Sequence, residues 1–195
     1  MMKDLSKIER FAVVIDMVNG FMKFGAMHDE SITKIIPAQI ELLDKMQNET
    51  DIIAIVKDTH NKGCIEFKAY PEHCVRGTGE ENLVDELSKF ENESSLVYEK
   101  NSTDVTKLPK FLEDIKKMTN LKEIIVIGCC TDICVLNAAI SIRTFLNQED
   151  INAEVIVPKD CVETYDAPIH PQAEYNEIAY KLIGQAGIKI VDKYI

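Results

Sequence analysis

The sequence predicts an α/β protein with a parallel β-sheet and helices on both faces. Short apolar runs of strand length alternate along the chain with segments of helical periodicity. Several of these runs end in a polar, reactive side chain, as expected at the carboxyl edge of a parallel sheet, where ligands bind. The chain has 195 residues, 46% of them apolar, and can bury one sizeable core. We therefore expect a single domain over residues 1–195.

Six apolar runs predict six strands, taken in chain order. They cover residues 11–15, 52–56, 96–98, 124–127, 154–157 and 188–191. Helical periodicity predicts five helices between them, at residues 32–47, 81–90, 108–118, 133–146 and 171–185. The sequence Thr78-Gly79-Glu80-Glu81 has the form of a capping box, which would begin the second helix.

The formal net charge of −11, spread along the chain, disfavours nucleic acid and anionic membranes as partners because no basic stripe is present. A small neutral or cationic substrate fits this charge better. Charged residues interrupt every apolar run before membrane-spanning length, and residues 1–10 lack the apolar core of a secretory signal. We expect a cytoplasmic protein, and the composition leaves a homo-oligomer open.

Cysteine usage indicates an intracellular enzyme with reduced thiols rather than a disulfide framework. Three of the six cysteines fall within six residues, and no CxxC motif occurs. The six are Cys64, Cys74, Cys129, Cys130, Cys134 and Cys161.

The segment 124–134 has the pattern of a buried strand that turns directly into a helix, with Cys134 on the first helical turn. The positive end of a helix dipole and its free N–H groups favour a thiolate, and the same groups can hold an oxyanion. We therefore expect Cys134 to be an activated nucleophile. The alternative is a buried structural cysteine on a strand-to-helix turn.

Asp16, Lys100 and Cys134 follow the first, third and fourth predicted strands. They supply a base, a cation and a thiol, which together suit amide hydrolysis through a thioester. Taken singly, each has a simpler explanation: Asp16 could cap a turn, and Lys100 could be a solvated surface charge. Their common position at one sheet edge favours the catalytic interpretation.

A second group of polar residues follows the second predicted strand. Asp58, His60, Glu66 and His73 offer two imidazoles and one or two carboxylates, a donor set that suits zinc, manganese or iron(II). The long loop that carries them favours a functional role. The alternative is an Asp-x-His sequence that only caps a turn.

These motifs resemble the nicotinamidase and isochorismatase-like cysteine hydrolases over nearly the whole chain. The resemblance is carried by residues 14–21 around Asp16, by Lys100 and by residues 128–134 around Cys134. It implies a parallel sheet of order 3-2-1-4-5-6 and a catalytic role for all three residues. It also implies a cis peptide bond between Cys129 and Cys130, with the N–H groups of Cys130 and Cys134 forming an oxyanion hole. The alternative for Cys129 and Cys130 is two small apolar residues in a tight turn.

Asp58, His60 and His73 match the metal ligands of the nicotinamidase branch, which isochorismatases lack. Glu66 resembles an extra carboxylate of some nicotinamidases, and the implied metal is zinc, with manganese or iron as alternatives. Phe21 and Tyr70 fall where the family has aromatic walls around a pyridine ring, although core packing is an alternative for each.

The chain departs from the family pattern at two places. Val18 and Gly20 replace polar residues around Asn19, and Asn101-Ser102 follows the lysine where glycine is common. Neither change affects a proposed catalytic group.

The resemblance thus implies hydrolysis of nicotinamide to nicotinate and ammonia, through a cysteine thioester, in NAD salvage. One alternative is a sister hydrolase that acts on another small amide, a carbamoyl compound or isochorismate. Another is a non-catalytic thiol sensor or binding module of the same fold.

Overall fold

A computed structural model describes residues 3–194 and contains one parallel sheet of seven strands. The strands are β1 (Arg10–Ile15), β2 (Asp51–Asp58), β3 (Leu96–Lys100), β4 (Glu123–Cys129), β5 (Glu154–Pro158), β6 (Val162–Glu163) and β7 (Lys189–Val191). The order across the sheet is β3-β2-β1-β4-β5-β7, and the two-residue β6 pairs with the end of β4.

The predicted α/β fold and its strand order are confirmed, with one correction to the strand count. The sixth predicted strand is β7, because the short β6 precedes it in the chain. A run of two residues, Val162 and Glu163, is too short to give a periodic signal, so the sequence did not predict it. The register aligns Ile15 with both Val56 and Gly128, which brings the carboxyl ends of β1, β2 and β4 to one edge.

Five α-helices flank the sheet: α1 (Asn19–Met22), α2 (Ile36–Lys45), α3 (Pro109–Lys117), α4 (Leu136–Gln148) and α5 (Gln172–Gln185). The predicted helix at 32–47 is split, since a 3₁₀ helix at Glu30–Ile35 precedes α2. The short α1 was not predicted. Within residues 3–194, no helix has the length and apolar character needed to cross a bilayer.

The helix predicted at residues 81–90 is largely wrong. Only a 3₁₀ helix forms there, at Asp85–Phe90, and no helix begins at the predicted capping box. The Glu81 carboxylate instead accepts hydrogen bonds from the N–H groups of Gly77 and Gly79, at 2.6 and 2.8 Å. Both glycines have positive φ, 85° and 88°, so the carboxylate closes a loop turn rather than a helix start.

Alternate side chains of the sheet bury two apolar layers. Phe11, Val13 and Ile15 pack in the layer that includes α3, α4 and α5. Ala12 and Val14 point into the layer that includes α1 and α2. Because both faces are covered, the free edge at the strand carboxyl ends is where polar side chains can converge.

Candidate active site and metal site

Asp16 is held at the end of β1 by its own backbone. Its φ of 53° is left-handed, its N–H donates to Val56 O at 2.9 Å, and its carbonyl accepts from the Val18 N–H at 2.8 Å. The Cys129 thiol donates to the same carbonyl at 3.2 Å. These bonds fix a fully buried carboxylate at the sheet edge.

Lys100, the last residue of β3, lies at the centre of the site. Its Nζ is 2.8 Å from Asp16 Oδ2, 2.9 Å from Asp58 Oδ1 and 3.7 Å from Cys134 Sγ. The Asp16 contact is an ion pair with angles outside hydrogen-bond geometry, and among residues 3–194 neither Asp16 carboxylate oxygen has a hydrogen-bond partner. The Lys100 ammonium therefore contacts the other two predicted catalytic residues and the predicted metal ligand Asp58.

Burial controls the protonation of these groups. It raises the pKa of Asp16 to about 6, although the Lys100 ammonium opposes the shift. It also raises the pKa of the Cys134 thiol well above its usual range, which Lys100 only partly offsets. For Lys100, burial alone lowers the pKa, but the carboxylates of Asp16 and Asp58 raise it well above the usual range. The resting site therefore holds a charged lysine and a neutral thiol.

Burial thus outweighs, in the resting site, any help that a helix N-terminus gives to the Cys134 thiolate. The dipole of one helix end is a modest effect, whereas removing a thiolate from water is costly. Deprotonation of this thiol has to be coupled to a base that takes its proton, and the under-bonded carboxylate of Asp16 lies against the same ammonium.

The turn between β4 and α4 carries the predicted nucleophile. It is a π-helical turn at Thr131–Val135, and the Cys130 carbonyl accepts from the N–H groups of Ile133 and Val135 at 3.1 and 3.0 Å. The Cys129–Cys130 peptide bond is cis, as the family resemblance implies. Within residues 3–194, the Cys130 N–H donates to no protein acceptor. The oxyanion hole of Cys130 and Cys134 stays a prediction that this arrangement permits.

The close approach of β4 to β1 at this edge of the sheet requires a glycine. Gly128 has a φ of 126°, and a Cβ placed there would lie 2.0 Å from the Ile15 carbonyl oxygen. The absence of a side chain lets β4 approach β1 closely just before the nucleophile turn. Asp16 and Cys134 are thereby both brought to the Lys100 ammonium.

The four predicted metal ligands converge on one point. Their ligand atoms lie within 4.8 Å of one another. Asp58 Oδ2 is 3.1 Å from the Nε2 atoms of His60 and His73, these two nitrogens are 3.2 Å apart, and Glu66 Oε1 is 3.7 Å from His60 Nε2. A group of two imidazoles and two carboxylates fits a divalent cation such as zinc, manganese or iron.

The other ring nitrogens of the two histidines are oriented by neighbours. His73 Nδ1 donates to the Pro71 carbonyl at 2.7 Å, and His60 Nδ1 lies 3.0 Å from Asn101 Oδ1. A proton on each Nδ1 leaves each Nε2 lone pair directed at the shared point, which is how metal-binding histidines are prepared. Asn101, noted from the sequence only as a departure from the family pattern, thus orients a ligand.

Electrostatics at this group favour positive charge. Burial opposes ionisation of Asp58, but Lys100 and the two imidazoles lower its pKa. Burial alone lowers the pKa of His60, but the hydrogen bond to Asp58 and the nearby Glu66 carboxylate raise it to about 9. A metal cation would compete with this proton for the same nitrogen.

Residues of both groups line one small cleft. It is lined by Phe21, Met27, Asp58, Glu66, Tyr70, His73, Thr103, Cys130, Ile133 and Cys134. The rings of Phe21 and Tyr70 lie 5.5 and 6.3 Å from the His73 ring. The two predicted aromatic walls therefore both line the cleft that holds Cys134, and His60 is buried behind it.

Sequence reasoning missed several residues of this cleft. Met27, Thr103 and Ile133 line it, and Phe67 packs edge-on against His60 at 5.2 Å between ring centroids. Thr103 and Ile133 lie close in sequence to Lys100 and Cys134, and this proximity is the one sequence feature that could have identified them as cleft residues. Met27 lies in a turn and Phe67 in a 3₁₀ helix of four residues, and both segments are too short for periodicity to mark them.

Comparison with known proteins agrees with this geometry. The Isochorismatase domain family model matches residues 11–192. Nicotinamidase 1 of Arabidopsis thaliana is 28% identical over 175 residues, which cover 81% of this chain and 70% of that protein.

Two solved structures share the fold. The pyrazinamidase of Pyrococcus horikoshii in complex with zinc is 24% identical, covers 95% of this chain and 99% of its own, and has a TM-score of 0.76. The N-carbamoylsarcosine amidase of Thermoplasma acidophilum is 20% identical, covers 96% and 99%, and has a TM-score of 0.73. The match over residues 11–192 spans most of the sequence and confirms the resemblance seen there, so this chain belongs to the isochorismatase domain family.

Proposed function

We propose that this protein is an amidase that hydrolyses nicotinamide to nicotinate and ammonia through a thioester on Cys134, a step of NAD salvage. One observation carries the proposal: the Asp58, His60, Glu66 and His73 group shares a cleft with Cys134. The nicotinamidase relative from Arabidopsis thaliana supports the same substrate. The six free thiols fit a cytoplasmic location, which is part of the proposal.

The proposed reaction begins with proton transfer from the Cys134 thiol to Asp16, while the sulfur attacks the carboxamide carbon. Asp16 then returns this proton to the amide nitrogen, the C–N bond breaks, and ammonia leaves. Asp16 next takes a proton from water, whose oxygen attacks the thioester, and the proton returns to the departing sulfur. A carboxylate with its pKa raised to about 6 suits both directions of transfer near neutral pH.

Lys100 supports each of these steps without exchanging a proton. Its ammonium lies 2.8 Å from Asp16 Oδ2 and 3.7 Å from Cys134 Sγ. Negative charge on that oxygen or on the sulfur is therefore stabilised. In the proposal, the N–H groups of Cys130 and Cys134 bind the oxyanion of the tetrahedral intermediates.

Asp58, His60, Glu66 and His73 are the residues that would hold a divalent metal, zinc in our proposal. Such a cation would supply Lewis acidity toward a ring nitrogen of the substrate. Phe21 and Tyr70 bind the faces of a flat heteroaromatic ring, and this orients the carboxamide toward Cys134.

Ammonia release from nicotinamide, measured with and without a chelator, tests the proposal. Parallel assays use a carbamoyl amino acid and isochorismate. We expect rapid ammonia release from nicotinamide and no turnover of the other two compounds. Turnover of nicotinamide should be lost after chelation and should recover when zinc is restored. Hydrolysis of the carbamoyl compound or isochorismate in place of nicotinamide would assign a sister hydrolase. Absence of ammonia from every amide would point to the thiol sensor or binding module.

A further inference from the structure

His170 lies beside the nucleophile turn, in the loop between β6 and α5, and the sequence analysis did not single it out. It is 5% exposed. Its ring is stacked between Tyr165 and Tyr175, with ring centroids 3.8 and 3.6 Å away and interplanar angles of 9° and 28°. Two parallel tyrosine faces form a slot that favours a flat cation, because each face carries the negative part of the ring quadrupole.

Both ring nitrogens of His170 face oxygen atoms that only accept hydrogen bonds. Nδ1 is 3.0 Å from the Tyr165 carbonyl oxygen, and Nε2 is 2.8 Å from Asp132 Oδ2. A carbonyl has no proton to give, and an ionised carboxylate has none either. Each contact, made as a hydrogen bond, requires a proton on that ring nitrogen, so the surroundings of His170 offer a donor's place at both nitrogens.

Asp132 connects the His170 ring to the nucleophile turn. It belongs to the π-helical turn at Thr131–Val135, two residues before Cys134. Its second oxygen, Oδ1, accepts the hydroxyl proton of Thr164, which follows β6. Two hydrogen bonds thus tie the turn to the β6–α5 loop. Tyr165, in the same loop, lines the outer mouth of the cleft together with Cys130.

We propose that the His170 imidazolium is a positioning residue for the nucleophile turn: it neutralises Asp132 and fixes the direction of the Cys130 and Cys134 N–H groups. This inference rests on the proposed function, because it concerns the oxyanion of that reaction. A carboxylate so near the nucleophile would oppose the negative charge that develops on the oxyanion unless a cation balances it. The hydrogen bonds also hold the turn against rotation, and oxyanion stabilisation needs that precision.

The first test compares three variants in steady-state hydrolysis of nicotinamide. His170→Gln keeps an amide that can donate to Asp132 but removes the charge, and we expect kcat to fall about 10-fold to 100-fold. KM should stay within about threefold, because Phe21, Tyr70 and the metal ligands are untouched. Asp132→Asn removes the charge that needs balancing, so the double variant should regain at least about 10-fold of the loss in His170→Gln. Glu177→Gln, at an exposed position of α5, is the matched control.

A second measurement does not depend on turnover. In ¹⁵N NMR spectra at neutral pH, we expect both His170 nitrogens to be protonated in the parent protein and only one to be protonated in Asp132→Asn. This readout remains informative if the protein hydrolyses no amide, so failure of the proposed function and failure of this inference are distinguishable. A neutral His170 in the parent protein would overturn the inference.

Two further outcomes would also overturn it: unchanged kcat in His170→Gln, or a double variant no more active than His170→Gln. If His170→Gln does not fold, Tyr175→Leu replaces it, since this change removes one ring face and keeps both hydrogen bonds. We then expect kcat to fall a few-fold, with metal content unchanged. An unchanged kcat in Tyr175→Leu would count against the inference.

Discussion

The two halves of the candidate site are built differently. Asp16 and Lys100 stand at the ends of parallel strands, and the ladders of the sheet set their positions. The metal group takes Asp58 from a strand end, but Glu66 and His73 come from the irregular segment at residues 59–84. That segment is held by isolated bridges and local hydrogen bonds rather than by a strand ladder: His60 bridges Val75, and His73 Nδ1 donates to the Pro71 carbonyl. The comparison teaches that the acyl-transfer half is rigid by fold, whereas the metal half depends on its ligands and their neighbours.

Lys100 joins the two halves, because its ammonium contacts both Asp16 and Asp58. A change on one side can therefore reach the other through a single buried charge. Graded substitutions can separate the contribution of each half.

The largest effect should come from Cys134→Ala, which removes the atom that forms the acyl intermediate. We expect hydrolysis to fall by at least about 10⁴-fold. Circular dichroism and zinc content should match the parent protein. Cys161→Ala is the control: this cysteine is buried away from the cleft and should leave turnover within a few-fold. A fully active Cys134→Ala variant would exclude the thioester mechanism.

Asp16→Asn and Lys100→Ala test whether the strand-end half acts as a unit. Each should lower kcat/KM by about 10³-fold or more, and the double variant should lose little beyond either single change. Lys100→Ala should also lower stability, since it leaves the buried carboxylates of Asp16 and Asp58 without their cation. Kinetic losses that simply add would show that the two residues serve separate purposes.

His73→Ala tests the loop half. Removal of one imidazole should strip the metal on dialysis and raise KM for nicotinamide, while the reactivity of Cys134 toward an alkylating agent stays near that of the parent. Elemental analysis and alkylation rates measure the two quantities separately. Phe67→Leu is a matched control, because it changes a ring that packs on both histidines and donates no ligand. A parent protein that is fully active without metal would refute the site.

Glu66 and Asn101 distinguish a direct ligand from an orienting residue. Asn101→Ala removes only the partner of His60 Nδ1 and should weaken metal affinity by about 10-fold to 100-fold. If Glu66 binds the metal directly, as we propose, Glu66→Gln should weaken metal retention more than Asn101→Ala does. Equal losses in titrations with a competing chelator would instead place Glu66 among the orienting residues.

The strand-end half was predictable from the sequence, and the loop half only in part. Continuous apolar runs located β1 to β5, so the residues that follow them could be placed at one edge. Residue type suggested Glu66 and His73 as metal ligands and the resemblance strengthened that prediction, because nothing in a loop's periodicity shows where it folds back. The prediction of a helix at residues 81–90 was wrong because Gly77 and Gly79 adopt positive φ, and their N–H groups donate to the Glu81 carboxylate instead of starting a helix. The role of His170 could not be predicted from the sequence, because Tyr165, Tyr175 and Asp132 contact its ring only in the folded chain.

The smallest predicted effect is a pH dependence that comes from Asp16 in the strand-end half. Burial raises the pKa of Asp16 to about 6, and the proposed base must be ionised to accept the thiol proton. Turnover at saturating metal and substrate should therefore fall as pH decreases through about 6, by about 10-fold for each further unit. The fold should persist there, because a carboxyl whose pKa is raised by folding binds its proton more tightly in the native state, so its protonation favours the native state as pH falls. A pH series of kcat, with thermal unfolding at each pH, measures both. An acid limb that shifts with the identity of the metal would assign the titration to the loop half.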